Sequence, residues 1–199
     1  MKQTILYHVT DKKNIKTIQK KGITAGMVCS EANMAGCIED EDAWVDHEMN
    51  TEERTREVFN QILQENKPKK TYPGHEYGVF FWADDTTARY HRKAMDHKNP
   101  IGDYHIVQVY APKIPCTCYA SDFQKAEDLF QYIQDNIDDI ERILNTGEED
   151  KNDKEIIQEA DKKAKQYYKT MKKWDGTKQP DKEIICPCNI SKKHIVRIV

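Results

Sequence analysis

Long apolar runs are missing from this chain, and so is an excess of charge of either sign. No stretch of the 199 residues approaches the apolar length that a membrane-spanning helix needs, so an integral helical membrane protein is excluded. Lysines and arginines number 31 against 34 aspartates and glutamates, a net charge of -3, and no global field draws the protein onto nucleic acid or anionic lipid. A phosphate-binding loop, a dinucleotide-binding glycine fingerprint, a Gly-x-Ser-x-Gly elbow and a His-Glu-x-x-His pair are all absent. With them goes sequence support for the common kinase, dehydrogenase, hydrolase and metalloprotease chemistries. There is no internal repeat. The first residues, Met1 to Leu6, run straight into a strand-like segment without an extended apolar h-region, so the expected compartment is the cytoplasm. There the six cysteines are expected as reduced thiols or metal ligands.

What is present fits one soluble α+β domain over residues 1–199, with a loop or insertion at 24–50 and a helical insertion at 122–175. Tyr7, His8 and Val9 lie in a short apolar run, followed by a helix on which Ile15 and Ile18 share a side and which Gly22 closes. Residues 24–50 show no consistent period. From Thr51, read as an N-cap, Val58, Phe59, Ile62 and Leu63 recur at helical spacing up to Pro68. Gly78 to Ala83 is apolar on both faces, as a buried strand is, and Asp84 or Asp85 caps a helix through Ala88, His91 and Met95. Tyr104 to Ala111 is a further strand. Asp122 is read as the cap of one continuous helix with the stripe Ala126, Leu129, Phe130, Ile133, Ile137, Ile140 and Leu144, and a second long helix is expected to reach Trp174. Glu183 to Cys186 and His194 to Val199 close the chain as strands. Strands at both ends with helices between them indicate α+β rather than alternating βαβ units.

Three pieces in this order carry a resemblance: Leu6-Tyr7-His8-Val9-Thr10, then Tyr77-Gly78-Val79-Phe80-Phe81-Trp82-Ala83, then Glu183 opening the penultimate strand. Together they cover about half of the chain. They resemble the ADP-ribosyltransferases of the diphtheria-toxin-like and polymerase-like branch, whose signature is His-Tyr-Glu. The resemblance implies split antiparallel β-sheets with flanking helices, NAD as a substrate, and a macromolecular acceptor, protein or nucleic acid. Carried over residue by residue, the signature gives His8, Phe80 in place of the tyrosine, and Glu183, with Tyr77 and Tyr90 as nearby hydroxyls. Glu183 would be the catalytic carboxylate; His8, Thr10, Gly78 and Phe80 would bind NAD, His8 through the adenosine ribose hydroxyls. The chemistry asks for these residue types, since cleaving the nicotinamide–ribose bond develops positive charge on the ribose, which a fixed carboxylate stabilises. An aromatic face holds the cationic nicotinamide. Two other readings stand beside the transferase: a non-catalytic module of the same fold that binds NAD, ADP-ribose or a protein, and an RNA 2'-phosphotransferase-like enzyme with Arg89, His91 and Arg92 around the phosphate.

Cys116-Thr117-Cys118 and Cys186-Pro187-Cys188 are two Cys-x-Cys pairs, each of which a strand would point to one face. Reduced buried thiols and a four-cysteine zinc site are the two readings. Cys29, Cys37 and His47 offer a weaker metal alternative. The lysine- and tyrosine-rich segment 162–173 reads as the solvated face of an amphipathic helix, with a nucleic-acid backbone as its other reading.

Overall fold

A computed structural model of the chain describes residues 5–25, 43–68, 78–98, 103–147, 151–180 and 182–199. In chain order the elements are β1 (Ile5–Asp11), α1 (Ile15–Lys21), α2 (Ala43–Glu65), β2 (Val79–Trp82), α3 (Asp85–Lys98), β3 (Tyr104–Tyr110), β4 (Tyr119–Asp122), α4 (Phe123–Asp135), α5 (Ile137–Thr146), α6 (Lys151–Thr170), β5 (Lys172–Lys173), β6 (Lys182–Cys186) and β7 (Ile195–Ile198). The architecture is α+β. Met1–Gly26, Tyr77–Phe123 and Met171–Val199 form one compact unit, and Met27–Glu76 with Gln124–Thr170 form another. Among the described residues no helix is long and apolar enough to cross a membrane.

The first unit is built on a seven-stranded antiparallel sheet in the order β5-β4-β6-β2-β1-β3-β7. Its ladders are uneven. β1 and β3 pair from Ile5↔Tyr110 to Asp11↔Tyr104, whereas β1 and β2 are registered at Tyr7↔Trp82 alone. The sheet therefore forks at its centre: β2 carries β6 and β4 to one side, and β1 carries β3 and β7 to the other. Alternation along each strand sends side chains to two cores. Leu6, Val79, Phe81, Val107, Val109, Ala120, Ile184 and Cys186 pack with Ile18 of α1 on one face. On the other, Trp82 and Ile106 pack with Ala88 of α3, and Tyr7, Val9 and Phe123 join them.

Local chemistry explains the flanking helices. Asp84 is buried at the start of α3, where its carboxylate accepts from the Thr87 backbone N–H at 2.9 Å and from the Thr87 hydroxyl at 2.6 Å. Gly22 ends α1 with φ 93°, its N–H donating to Ile18 O at 2.8 Å. The next residue pairs with Ile190 through two backbone bonds of 2.9 and 2.8 Å, which tie the end of α1 to the segment after β6.

The second unit consists of α2, α4, α5 and α6. Ile62, Leu63, Leu129, Ile133, Ile140, Ile143, Ala160, Ala164 and Tyr167 are buried in it. Polar clasps join its helices: Arg54 reaches Glu141 at 2.6 Å and Asp138 at 2.6 Å, Arg142 forms a two-pronged pair with the buried Asp153 at 2.6 and 3.0 Å, and the Tyr168 hydroxyl donates to Leu63 O at 2.9 Å.

Several sequence expectations are corrected. Helix α2 begins at Ala43, so residues 43–50 are helical and Thr51 is interior, its carbonyl accepting from the Thr55 hydroxyl at 2.7 Å. Of the rest of the expected loop, residues 24 and 25 are described without helix and 26–42 lie outside the described residues. The single helix expected from Asp122 is two helices parted at Asn136, which has φ -126° and ψ 23°. The break shifts the apolar face, so that Ile143 rather than Leu144 is buried. Asp122 itself ends β4. Helix α6 stops at Thr170 instead of Trp174, because Lys172 and Lys173 pair with Ala120 and Tyr119 at the sheet edge and the Trp174 N–H donates to Cys118 O at 2.9 Å.

A side chain at Gly22 would be strained by the positive φ and would collide with the Ile190 carbonyl. We expect Gly22→Ala to lower stability by about 2 kcal/mol or more, read from the urea midpoint, whereas Gly147→Ala, at φ 68° but with nothing within 4 Å of the added carbon, costs less.

Candidate functional site

The residues singled out in the sequence fall on three strands that neighbour one another in the sheet: His8 and Thr10 on β1, Phe80 on β2 just after Gly78, and Glu183 on β6. At the fork, where the β1–β2 ladder ends, the imidazole of His8 takes over the link. Its Nδ1–H donates to the Phe80 carbonyl at 2.8 Å, across a sequence separation of 72. The ring stands edge-on to Phe81 with centroids 5.8 Å apart and planes at 61°. Because a carbonyl only accepts, this bond sets the neutral tautomer with the proton on Nδ1 and leaves Nε2 as a lone-pair acceptor. Burial holds the His8 pKa below the usual histidine range, against the smaller opposing effect of the Phe80 bond. Thr10 is buried, its hydroxyl accepting from the Asn14 amide at 3.2 Å.

Phe80 is half-buried and lies opposite Ile185, and Glu183, only 5% exposed, lies between Trp82 of β2 and Ser121 of β4. Phe80 and Glu183 therefore share the face of Trp82. His8 and Thr10 alternate with Tyr7 and Val9, which belong to that face, and so lie with Leu6 on the other. The structure thus brings Phe80 and Glu183 to one surface and connects His8 to them through the fork, by way of the Phe80 backbone. Gly78 permits close packing of the strands, for a Cβ there would stand 2.8 Å from Ile185 Cγ2.

Sequence reasoning missed the aromatic group beside Glu183. Trp82 and His91 stack with centroids 3.9 Å apart and planes 4° from parallel, and Phe123 meets both edge-on at 5.0 and 4.9 Å. Next to Trp82 on β1, the Tyr7 phenol is raised in pKa by burial and then by Asp85 and Asp84. Tyr7, Trp82, Glu183 and Ser121 make one row across four adjacent strands, and the Ser121 hydroxyl is buried with no hydrogen-bond partner among the described residues. The signal was present in Trp82 and His91 as ring-bearing residues at a strand-to-helix junction. Of the arginines considered as phosphate ligands, Arg89 is held by Asp85 at 2.7 Å. Tyr90 is 71% exposed, and Tyr77 lies outside the described residues.

The four cysteines of the two Cys-x-Cys pairs come to one face, as the alternation requires, but they are not free thiols. Cys116 is bonded to Cys188 and Cys118 to Cys186. The expectation of reduced thiols is corrected because the Tyr119↔Ile185 register sets each cysteine directly across from another. Cys29 and Cys37 lie outside the described residues.

Comparison of the chain with family models, with curated proteins and with solved structures finds no match in any of the three.

A histidine whose folded pKa is depressed binds fewer protons in the native than in the unfolded state, so the stability it contributes is present above the unfolded value near 6.5 and lost as pH falls through the folded value. His8 is in this position, and so is His194, whose pKa is lowered by burial and then by Lys193 and Lys113. We expect the melting temperature to fall on acidification from about pH 7, and to fall less steeply in His8→Gln, which keeps a donor toward Phe80 O without the titrating ring. An unchanged slope in that variant would remove His8 from the account.

Proposed function

We propose that this chain is an NAD-dependent ADP-ribosyltransferase-like protein, which breaks the nicotinamide–ribose bond of NAD and passes ADP-ribose to a macromolecular acceptor, protein or nucleic acid. The observation that carries the reading is the adjacency of β1, β2 and β6: three segments matched to the His-Tyr-Glu pattern, far apart in sequence, are neighbours around the fork of one antiparallel sheet. Glu183 supplies a nearly buried carboxyl across from Trp82, whose ring stacks on His91. In a site that excludes water, such a group stabilises positive charge developing on a ribose far more than it would in solvent. Phe80, half-buried on the same face, offers a ring for the cationic nicotinamide. His8 Nε2, left as an acceptor by the bond to Phe80 O, suits a ribose hydroxyl. These roles are positioning and charge stabilisation; none requires His8 to move a proton.

A second reading is favoured by Phe80 itself, which lacks the hydroxyl of the pattern: a module of the same fold that holds NAD, an ADP-ribose-like ligand or a protein without turning it over. The Arg89–Asp85 pair weighs against the phosphotransferase reading, since that arginine is engaged on its own helix.

Nicotinamide release from NAD by the purified protein, with and without cell lysate, separates the two. The transferase reading expects release that falls about 100-fold or more in Glu183→Gln, with the thermal midpoint little changed. No release from folded wild type in the presence of lysate would sink the enzyme and leave the binding module, for which Phe80→Ala weakens NAD retention.

A further inference from the structure

The cysteine ladder lies outside the site just described, and its two rungs differ in a way that has chemical consequences. β4 and β6 run antiparallel with Tyr119 opposite Ile185 and Ala120 opposite Ile184. Continued by one residue, that register sets Cys118 across from Cys186, with Cα atoms 4.4 Å apart; two residues further, Cys116 faces Cys188 at 6.2 Å. Both separations lie within the range that a disulfide spans. The inner rung is sealed, with Cys118 7% and Cys186 0% exposed in the core beneath the sheet. Both cysteines of the outer rung are partly exposed, beside the exposed residues Pro115, Thr117 and Asn189. Thiol–disulfide exchange requires a thiolate to approach a sulfur, so access decides which rung reacts.

We propose that this ladder is a thiol-exchange site for a dithiol reductant, in which Cys116–Cys188 is the reacting bridge and Cys118–Cys186 is the retained one. One thiolate of the reductant attacks a sulfur of the outer bridge, forming a mixed disulfide and releasing the other cysteine as a thiolate, which takes up a proton. The second thiol of the reductant then displaces the first cysteine. Two electrons and two protons pass to the bridge, leaving Cys116 and Cys188 as thiols and the reductant as its own disulfide. Throughout, the inner rung keeps β4 and β6 in register, and the Lys182–Asp122 pair at 2.6 Å clasps the opposite end of the same ladder, next to the Glu183–Ser121 position. Opening the outer rung therefore frees the segments before β4 and after β6, including the approach to Ile190 and its pairing with Ile23, while Glu183 keeps its face.

The test treats the folded chain, oxidised with glutathione disulfide, with dithiothreitol under native conditions, traps thiols by alkylation at intervals and maps them by peptide mass. Cys116 and Cys188 are expected to be labelled about tenfold or more faster than Cys118 and Cys186. In Cys116→Ser/Cys188→Ser the remaining bridge should open only when denaturant is added. Simultaneous labelling of all four, earlier labelling of the inner pair, or free thiols at all four positions before any reductant would overturn the proposal. So would one equivalent of zinc on four free thiols in the protein as purified.

Discussion

The pairing of Tyr7 with Trp82 is the constraint on which the rest of the sheet depends. It is the one registered position between β1 and β2 among the described residues, whereas each neighbouring ladder toward the centre is registered over at least four. Two well-zipped half-sheets thus meet at a single rung. Because side chains alternate with period 2, that rung decides which residues of β2, β6 and β4 share a face with Tyr7. A slip of one residue at that rung would carry Trp82 and Glu183 together to the face opposite Tyr7. Two contacts outside the ladder oppose such a slip: the His8 bond to Phe80 O, which bridges the fork, and the stack of Trp82 on His91, which pins β2 to α3.

Such a fork has a structural cost and a chemical use. Where β1 and β2 part, their backbone donors and acceptors need other partners, since buried unpaired polar groups are costly. An imidazole is suited to the task, being long enough to reach the next strand and holding a second nitrogen at its far side. Its neutral form is favoured by burial, consistent with the lowered pKa. The same side chain therefore closes the sheet and keeps an acceptor in reserve, and a single substitution at His8 touches both stability and any ligand contact.

Much of the first unit was legible as local pattern. The run around Tyr7 to Val9, the Ile15 and Ile18 helix with its Gly22 stop, and the Asp84-capped helix after β2 all appear where spacing and capping chemistry put them. What could not be read is what other elements impose. Lys172 and Lys173 sit in a segment with helical periodicity and become a strand only because β4 has a free edge to pair with. The break at Asn136 leaves the apolar period nearly intact, so a stripe of isoleucines reads as one helix whether or not it bends. Motif order singles out His8, Phe80 and Glu183, and the fold sets their strands side by side. The Trp82–His91 stack joins a strand to the second turn of the next helix, a contact with no periodic signature. The Cys-x-Cys spacing announced thiols on one face, but their partners follow from the Tyr119↔Ile185 register, a property of the folded sheet.

The aromatic group also decides where a ligand ring would have to go. Trp82 and His91 are already in contact at 3.9 Å and parallel, with Phe123 closing their edges. A flat cation cannot enter between them unless α3 moves away from the sheet by about a ring's thickness, which would break packing around Ala88 as well. Phe80 is half-buried, shares the face of Glu183, and carries no polar side-chain group that demands a partner. A phenyl ring also attracts a cation by its face as a phenol does. On the reading proposed above, a phenylalanine in place of the tyrosine keeps a face for stacking and lacks only the hydroxyl.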